Sequence, residues 1–281
     1  MIGARLPFPQ PFQDQADVKQ RLLVTLFVLP PVLLALWGGV YWWSLVIFSV
    51  ATLGGLEYYA LMSQGGYRPH RVAGMIWLLL LIGANWQPQI LPLSLVITLG
   101  FLATFILVLF QTEQPILNWA VTGIGALYIG VMLGQAVALR MAPHGLAWVF
   151  LSLAVTMLND TFAYFVGVAV GKHKIWPRLS PKKSWEGTIG GWIAAGVTGY
   201  VVVSATAIPL APWIGLIVGL AGGVLALFGD LTISMLKRQV GAKDSGTIMP
   251  GHGGMLDRLD SLLFVIPFIH QVALLAIRFG G

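Results

Sequence analysis

The chain is a succession of long apolar stretches separated by short polar segments. A helix that crosses a bilayer needs about 20 mostly apolar residues, and nine stretches are candidates. They are residues 22–37, 42–62, 72–85, 90–110, 117–139, 146–170, 187–206, 212–236 and 261–279. The pattern therefore predicts an all-α, polytopic integral membrane protein of about nine transmembrane helices, although the third stretch is short.

The composition supports this fold class and excludes several others. Hydrophobic residues make up 57% of the 281 residues, charged residues only 9%, and the mean hydropathy is +0.84. An average soluble domain has roughly 25% charged residues, so this chain has too little polar surface for a soluble globule. It contains no cysteine, which excludes disulfides, zinc–thiolate sites and a cysteine nucleophile.

The distribution of positive charge predicts the orientation in the membrane. Of the 16 Lys and Arg residues, 14 fall on the side of the N-terminus, whereas only Arg140 and Arg278 fall on the other. Because cytoplasmic loops carry the excess of Lys and Arg, the N-terminus and the loops 171–186 and 237–260 are expected in the cytoplasm. The net charge of +6 then reflects loops that face anionic lipid of the inner membrane, and no nucleic-acid partner is expected.

The positions of glycines four residues apart predict that the chain has two parts whose helices pack differently. Such pairs let helix backbones approach closely in lipid, and they recur in the second part of the chain. We therefore expect N-terminal transmembrane helices in residues 1–115 and a tight catalytic bundle in residues 116–281. The pairs are Gly130/Gly134, Gly167/Gly171, Gly187/Gly191 and Gly215/Gly219/Gly223.

Acidic residues within apolar stretches are the first candidates for function, because each costs at least ~2.5 kcal/mol in the membrane. Asp160 precedes Gly171 by enough residues to lie roughly 16 Å deep; it is a functional acid or a buried acid paired with another helix. Asp230 shares one helix face with Ser234 and Lys237. This face is either a surface that binds metal and phosphate or the site of a structural Asp–Lys ion pair. Glu57 lies near the end of its span and is expected to anchor it at the interface.

The two cytoplasmic loops concentrate the remaining charge. Loop 171–186 carries five cations, which fit either general membrane anchoring or an anionic substrate. Loop 237–260 mixes both signs of charge with glycines, whose backbone N–H groups can turn toward an anion. Asp257 and Asp260 stand where acids also cap a helix, but the density of both charges favours a metal–polyphosphate site.

A long motif at the end of the chain resembles the C-terminal signature of CDP-diacylglycerol synthases, also called phosphatidate cytidylyltransferases. Two upstream stretches resemble the same family, as does the pair Gly229-Asp230. The signature residues are Ser234, Lys237, Arg238, Lys243, Asp244, Gly246, Pro250, Gly251, His252, Gly253, Gly254, Asp257, Arg258 and Asp260. The upstream stretches contain Asp160, Ala163, Tyr164, Gly171 and Lys172, and then Ser180, Pro181, Lys183, Ser184 and Gly187.

The resemblance implies that CTP and phosphatidic acid react in the bilayer to give CDP-diacylglycerol and pyrophosphate, with Mg²⁺ as cofactor. Expected metal ligands are Asp230, Asp257 and Asp160. Expected catalytic residues are Ser234, Lys237, Arg238, Lys243, Asp244, Arg258, Asp260 and Lys183. Expected substrate-binding residues are Ser180, Lys183, Ser184, Gly251, His252, Gly253, Gly254, Asn159 and Tyr164.

Two other functions stay open at this point. A CTP-dependent lipid-alcohol kinase would transfer the γ-phosphate and release CDP. An ion-coupled transporter would use Asp160 and Asp230 as coupling acids, but polar residues would then cluster near mid-membrane in several helices rather than in two loops. The sequence is also compatible with a homodimer.

Overall fold

A computed structural model describes residues 30–246 and 253–279, most of which are helical. Residues 30–37 are helical and lead into the first complete helix. The helices are α1 (Val40–Gln64), α2 (Arg71–Trp86), α3 (Leu93–Val108), α4 (Pro115–Met141), α5 (Gly145–Val170), α6 (Trp185–Ala205), α7 (Pro212–Gln239), α8 (Leu256–Leu259) and α9 (Leu262–Phe279). Two strands, β1 (Lys174–Trp176) and β2 (Ser180–Ser184), form an antiparallel hairpin between α5 and α6.

Six helices of the described residues are long and apolar enough to cross a membrane: α1, α4, α5, α6, α7 and the stretch Leu256–Phe279. Helices α2 and α3 are apolar but have only 16 residues each. Half of the first predicted span, 22–37, lies outside the described residues. The all-α polytopic architecture is therefore confirmed, whereas the count of nine spans and the location of the N-terminus stay predictions.

Large apolar side chains cover the outside of the molecule, as a bilayer requires. On α3, for example, Leu99, Leu102 and Ile106 are more than half exposed. A soluble protein rarely exposes apolar patches of this extent. The surface thus agrees with a chain whose helices face lipid.

The small-residue packing predicted for the later helices is confirmed. Helices α5, α6 and α7 pack in sequence, and glycines form their contacts. A Cβ added at Gly199 would lie 2.0 Å from the Gly215 carbonyl oxygen, and one at Gly219 would lie 2.1 Å from that of Ala195. No larger residue fits at these crossings without moving a backbone. The pair Gly130/Gly134 of α4 instead packs against α2, at Leu78 and Asn85.

Helix α4 connects the early and late parts of the chain, since it packs against α1, α2 and α9. Buried aromatic side chains of α1 donate hydrogen bonds to its carbonyl groups. Tyr59 Oη donates to Thr122 over 2.8 Å, and Trp43 Nε1 donates to Ala136 over 2.9 Å. These contacts fix α1 along the length of α4.

The segments with most charge lie at one end of the bundle. At the start of α4, Asn118 accepts a hydrogen bond from the Arg68 backbone N–H. Gly65, at the end of α1, lies against Val240, at the end of α7. Arg140, in the last turn of α4, donates instead to the Leu36 carbonyl group at the opposite end. These contacts place the start of α4 and the ends of α1 and α7 at one end of the bundle, opposite to Arg140.

Candidate active site

A cavity of about 650 Å³ lies at the charged end of the bundle. Helices α5, α6 and α7, the β-hairpin and the segment 257–261 line it. Helices α5 and α6 can line the cavity side by side because a glycine lets them approach closely. A Cβ at Gly187 would lie 2.6 Å from the Ala163 carbonyl oxygen. The cavity therefore joins segments that are far apart in the sequence.

The β-hairpin places a lysine side chain beside an acidic side chain of α7. Lys183 of β2 forms an ion pair with Asp230, and one oxygen of that carboxylate is buried. Asp160 of α5 faces the same cavity and interacts electrostatically with both groups. Its amide neighbour, Asn159, donates to it over 3.0 Å. The upstream motifs and Asp230 thus meet in one place.

Asp260 lines the cavity together with Asp230, and the two side chains interact electrostatically. The approach depends on Gly229, where a Cβ would lie 2.4 Å from the Asp260 carbonyl oxygen. Ser261 strengthens the same contact by donating to the Ala226 carbonyl group over 3.1 Å. Gly229 therefore lets α7 and the turn before α9 bring the two acids together.

Asp257 makes a different set of contacts. Its Oδ1 accepts a 2.6 Å hydrogen bond from Lys237, and both side chains are largely buried. Its Oδ2 accepts from the Ser245 backbone N–H, the Ser245 hydroxyl and the Gly254 backbone N–H, at 2.8, 2.9 and 3.1 Å. Protein donors thus occupy both oxygens of this carboxylate.

The expected pairing of Asp230 with Asp257 around one metal stays a prediction. Both acids line the cavity, but Asp230 contacts Lys183 and Asp260 while Asp257 contacts Lys237 and Ser245. The sequence could not separate Asp257 from Asp260, because both stand beside the start of the last helix. Gly229 packs against the 260–261 turn and so brings the backbone of Asp260 beside α7.

The other expected catalytic residues lie around this centre. Ser234 is buried on α7, one turn beyond Asp230. Arg258 lines the cavity. Arg238 donates to the Ala242 carbonyl group over 3.1 Å, and Lys243 and Asp244 are exposed just after α7.

The expected substrate-binding residues fall into two groups. Asn159, Tyr164 and Ser184 line the cavity, but the Ser184 hydroxyl also caps α6 by accepting from the Gly187 N–H. Ser180 begins β2. Gly253 has a φ of 77°, in the left-handed region that favours glycine, and Gly254 packs against Glu57. Gly251 and His252 lie outside the described residues.

The donor groups suit a hard divalent cation. Within residues 30–246 and 253–279, no three His, Asp or Glu side chains are arranged to hold a metal by themselves. Mg²⁺ usually takes only one or two carboxylates and completes its six ligands with water and substrate phosphates. Asp230 and Asp260 supply such a pair of carboxylates, so the residues fit an ion that binds together with a phosphate-bearing substrate.

Glu57 is a residue that the sequence interpretation assigned to the wrong environment. It does not anchor α1 at an interface: it is only 4% exposed, and it binds the segment that leads into α8. Its position within an apolar stretch was the signal of a specific partner. The partner itself could not be predicted, because it lies 188–199 residues further along the chain.

Comparison with known proteins gives the family. The profile of the Cytidylyltransferase family matches residues 19–276, which is most of the chain. The protein belongs to this cytidylyltransferase family. The match includes the early helices, which the C-terminal motif did not cover.

Relatives of this cytidylyltransferase carry the name phosphatidate cytidylyltransferase. The one from Bacillus subtilis (strain 168) is 40% identical over 148 residues, covering 52% of this chain and 55% of that protein. The one from Staphylococcus saprophyticus is 35% identical over 180 residues, covering 64% of this chain and 68% of the relative. The one from Staphylococcus haemolyticus is 36% identical over 186 residues, covering 66% and 70%.

Proposed function

We propose that this cytidylyltransferase transfers CMP from CTP to phosphatidic acid, giving CDP-diacylglycerol and pyrophosphate for phospholipid biosynthesis. The observation that carries the proposal is the convergence of Lys183, Asp160, Asp230 and Asp260 on one cavity in a chain of this family. Paired acids beside a lysine suit a metal-bound polyphosphate. The names of the relatives supply the lipid substrate.

The shape of the cavity supports a lipid substrate. Tyr164 and Val168 of α5 line it and are 66% and 72% exposed on the outer, apolar surface. The cavity is therefore open along a face that would meet the bilayer, while the hairpin lysines border its charged end. A lipid phosphate can enter from the side and a nucleotide from the end, which we place at the cytoplasmic face of the inner membrane.

The chemistry requires no protein nucleophile. An oxygen of the phosphatidate phosphate attacks the α-phosphorus of CTP, and the bond from that phosphorus to the β-phosphate oxygen breaks to release pyrophosphate. We propose that Lys183 and Arg258, which line the cavity, hold phosphates in line and so lower the repulsion between the two anions. We propose that Asp230 and Asp260 hold Mg²⁺, which would neutralise charge on the reacting phosphates.

Two labels on CTP test the proposal against a CTP-dependent lipid kinase. Purified protein in phosphatidate-containing micelles receives Mg²⁺ and CTP labelled at either the α- or the γ-phosphate. The proposed reaction puts the α-label into lipid and the γ-label into pyrophosphate, whereas a kinase acting on a lipid alcohol puts the γ-label into lipid. Absence of both reactions, in protein that remains folded, would overturn the proposal.

A further inference from the structure

A buried carboxylate outside the cavity lining holds the segment that carries Asp257. Glu57 of α1 is 4% exposed and accepts two hydrogen bonds from this segment and one from Ser245. Its Oε1 accepts from the Met255 backbone N–H over 2.9 Å. Its Oε2 accepts from the Leu256 backbone N–H over 2.8 Å and from the Ser245 hydroxyl over 3.1 Å. We call these four residues the Glu57 clamp.

The clamp and Asp257 share a partner. The Ser245 hydroxyl lies within hydrogen-bonding distance of Glu57 and of Asp257, and its one proton serves one carboxylate at a time. Ser245 and Gly254 also donate backbone N–H groups to Asp257. The two carboxylates therefore hold Ser245 together with residues 254–256, so that two distant points of the chain stay adjacent.

Glycines make room for the Glu57 side chain. A Cβ at Gly246 would lie 2.6 Å from Glu57 Oε1, and one at Gly254 would lie 2.4 Å from Oε2. Two glycines of the motif are thus explained by contact with α1 rather than with a substrate. Such contact leaves the carboxylate no space to move, which is what a positioning group requires.

We infer that Glu57 is a positioning residue of the active site, which fixes Asp257 and Arg258 by binding the backbone directly before them. Since Asp257 in turn holds Lys237, the clamp sets the place of Lys237 as well as that of Arg258, which lines the cavity. The inference rests on the proposed function for its kinetic test. It also makes α1, which the sequence placed in a separate N-terminal part, a component of the catalytic unit.

The kinetic test compares Glu57→Gln with Tyr59→Phe. Glu57→Gln keeps the size of the side chain but replaces one accepting oxygen with an NH₂ group that faces N–H donors. Tyr59→Phe also removes one buried tertiary hydrogen bond of α1, to Thr122, at a point away from the clamp. We expect kcat to fall by about ten- to a hundredfold in Glu57→Gln, with KM for CTP within about threefold of wild type. Tyr59→Phe should keep a near-normal kcat.

A second measurement does not depend on activity. The chain has no cysteine, so Met255→Cys introduces a single thiol at a buried position while the backbone N–H that binds Glu57 remains. Adding Glu57→Gln should raise the rate of maleimide labelling of this thiol by about tenfold or more, because the segment opens more often. Adding Tyr59→Phe should leave the rate nearly unchanged.

The outcomes separate the two proposals. If Glu57→Gln keeps kcat within about twofold of wild type, Glu57 is not a positioning residue and the inference is wrong. The inference is also wrong if Glu57→Gln and Tyr59→Phe lose thermal stability and activity to the same extent, because Glu57 is then only structural. If the wild type lacks turnover, the proposed function is wrong. If Glu57→Gln leaves the rate of maleimide labelling at Met255→Cys unchanged, the inference about the Glu57 clamp is wrong, whatever the activity. Should Glu57→Gln not fold, Ser245→Ala, which removes one donor to Glu57, must show the same loss of kcat on a smaller scale.

Discussion

Asp230 stands just before the C-terminal motif and Asp257 within it, yet the two acids have different surroundings. Asp230 lines the cavity with Lys183, its ion-pair partner, and Asp260. Both carboxylate oxygens of Asp257 accept hydrogen bonds, from Lys237, Ser245 and Gly254. A residue's role in this site therefore follows from the donors around it rather than from its residue type.

Asp230→Asn and Asp260→Asn should each lower the rate of CDP-diacylglycerol formation by at least about a hundredfold, because each removes a negative charge that would hold Mg²⁺. The rate is measured over a range of Mg²⁺ concentrations. Glu113→Gln is the control, since its carboxylate is exposed and pairs with the equally exposed Arg68. Normal activity of Asp260→Asn would remove Asp260 from the metal site.

The Lys237–Asp257 pair should contribute mainly to stability. Breaking a buried ion pair from one side leaves an uncompensated charge, which costs about 3 kcal/mol. We expect Lys237→Met and Asp257→Asn each to lower the thermal unfolding temperature clearly. The double variant should lose less than the sum of the two. Strictly additive losses would show that the two side chains do not interact.

At the scale of elements, the glycine contacts between helices decide where the acids stand. Asp160 and Asp230 are on different helices, and both helices pack against α6 through glycines. The hairpin is short, yet it carries Lys183 to Asp230 because Glu186 binds the backbone N–H groups of Lys172 and His173 and so fixes its base. Element geometry thus sets the distances that chemistry needs.

Gly219→Ala should destabilise the protein, since the new Cβ would lie 2.1 Å from the Ala195 carbonyl oxygen. Overpacking of this kind costs about 1–3 kcal/mol. Gly123→Ala is a matched control on another long apolar helix, where the nearest atom, Trp77 Cζ3, is 3.6 Å away. It should be neutral or slightly stabilising, by at most about 1 kcal/mol. Thermal unfolding in detergent compares them; equal unfolding temperatures would contradict the packing argument.

At the scale of the whole molecule, the cavity lies where the charged segments gather, and the outer surface is apolar. The relative positions of the two ends are a property of the fold. Which end faces the cytoplasm rests on the excess of Lys and Arg at one of them. That assignment is open to a direct measurement, because the chain has no cysteine.

Single cysteines test the orientation. Lys174→Cys and Lys243→Cys lie at exposed positions of the charged end, whereas Pro143→Cys lies at the exposed turn between α4 and α5. An impermeant maleimide added to intact cells should label Pro143→Cys and spare the other two until the cells are opened. Ready labelling of Lys243→Cys in intact cells would reverse both the topology and the proposed placement of the site.

The sequence by itself determined the fold class, most helix bounds and the motif residues. The predicted stretches 117–139 and 212–236, for example, correspond to α4 and α7. Apolar length and charge are local properties, and the bilayer forces apolar stretches into helices because no water satisfies their backbone groups. Local pattern was therefore enough.

Only the tertiary structure decided which acids meet. The backbone of Asp260 lies beside α7, next to Asp230, because Gly229 admits the 260–261 turn. Glu57 reaches Leu256 across 199 positions of sequence, and Lys183 reaches Asp230 because a hairpin forms in a segment read as a loop. Side-chain partners depend on close packing between distant segments, and no local periodicity records that packing.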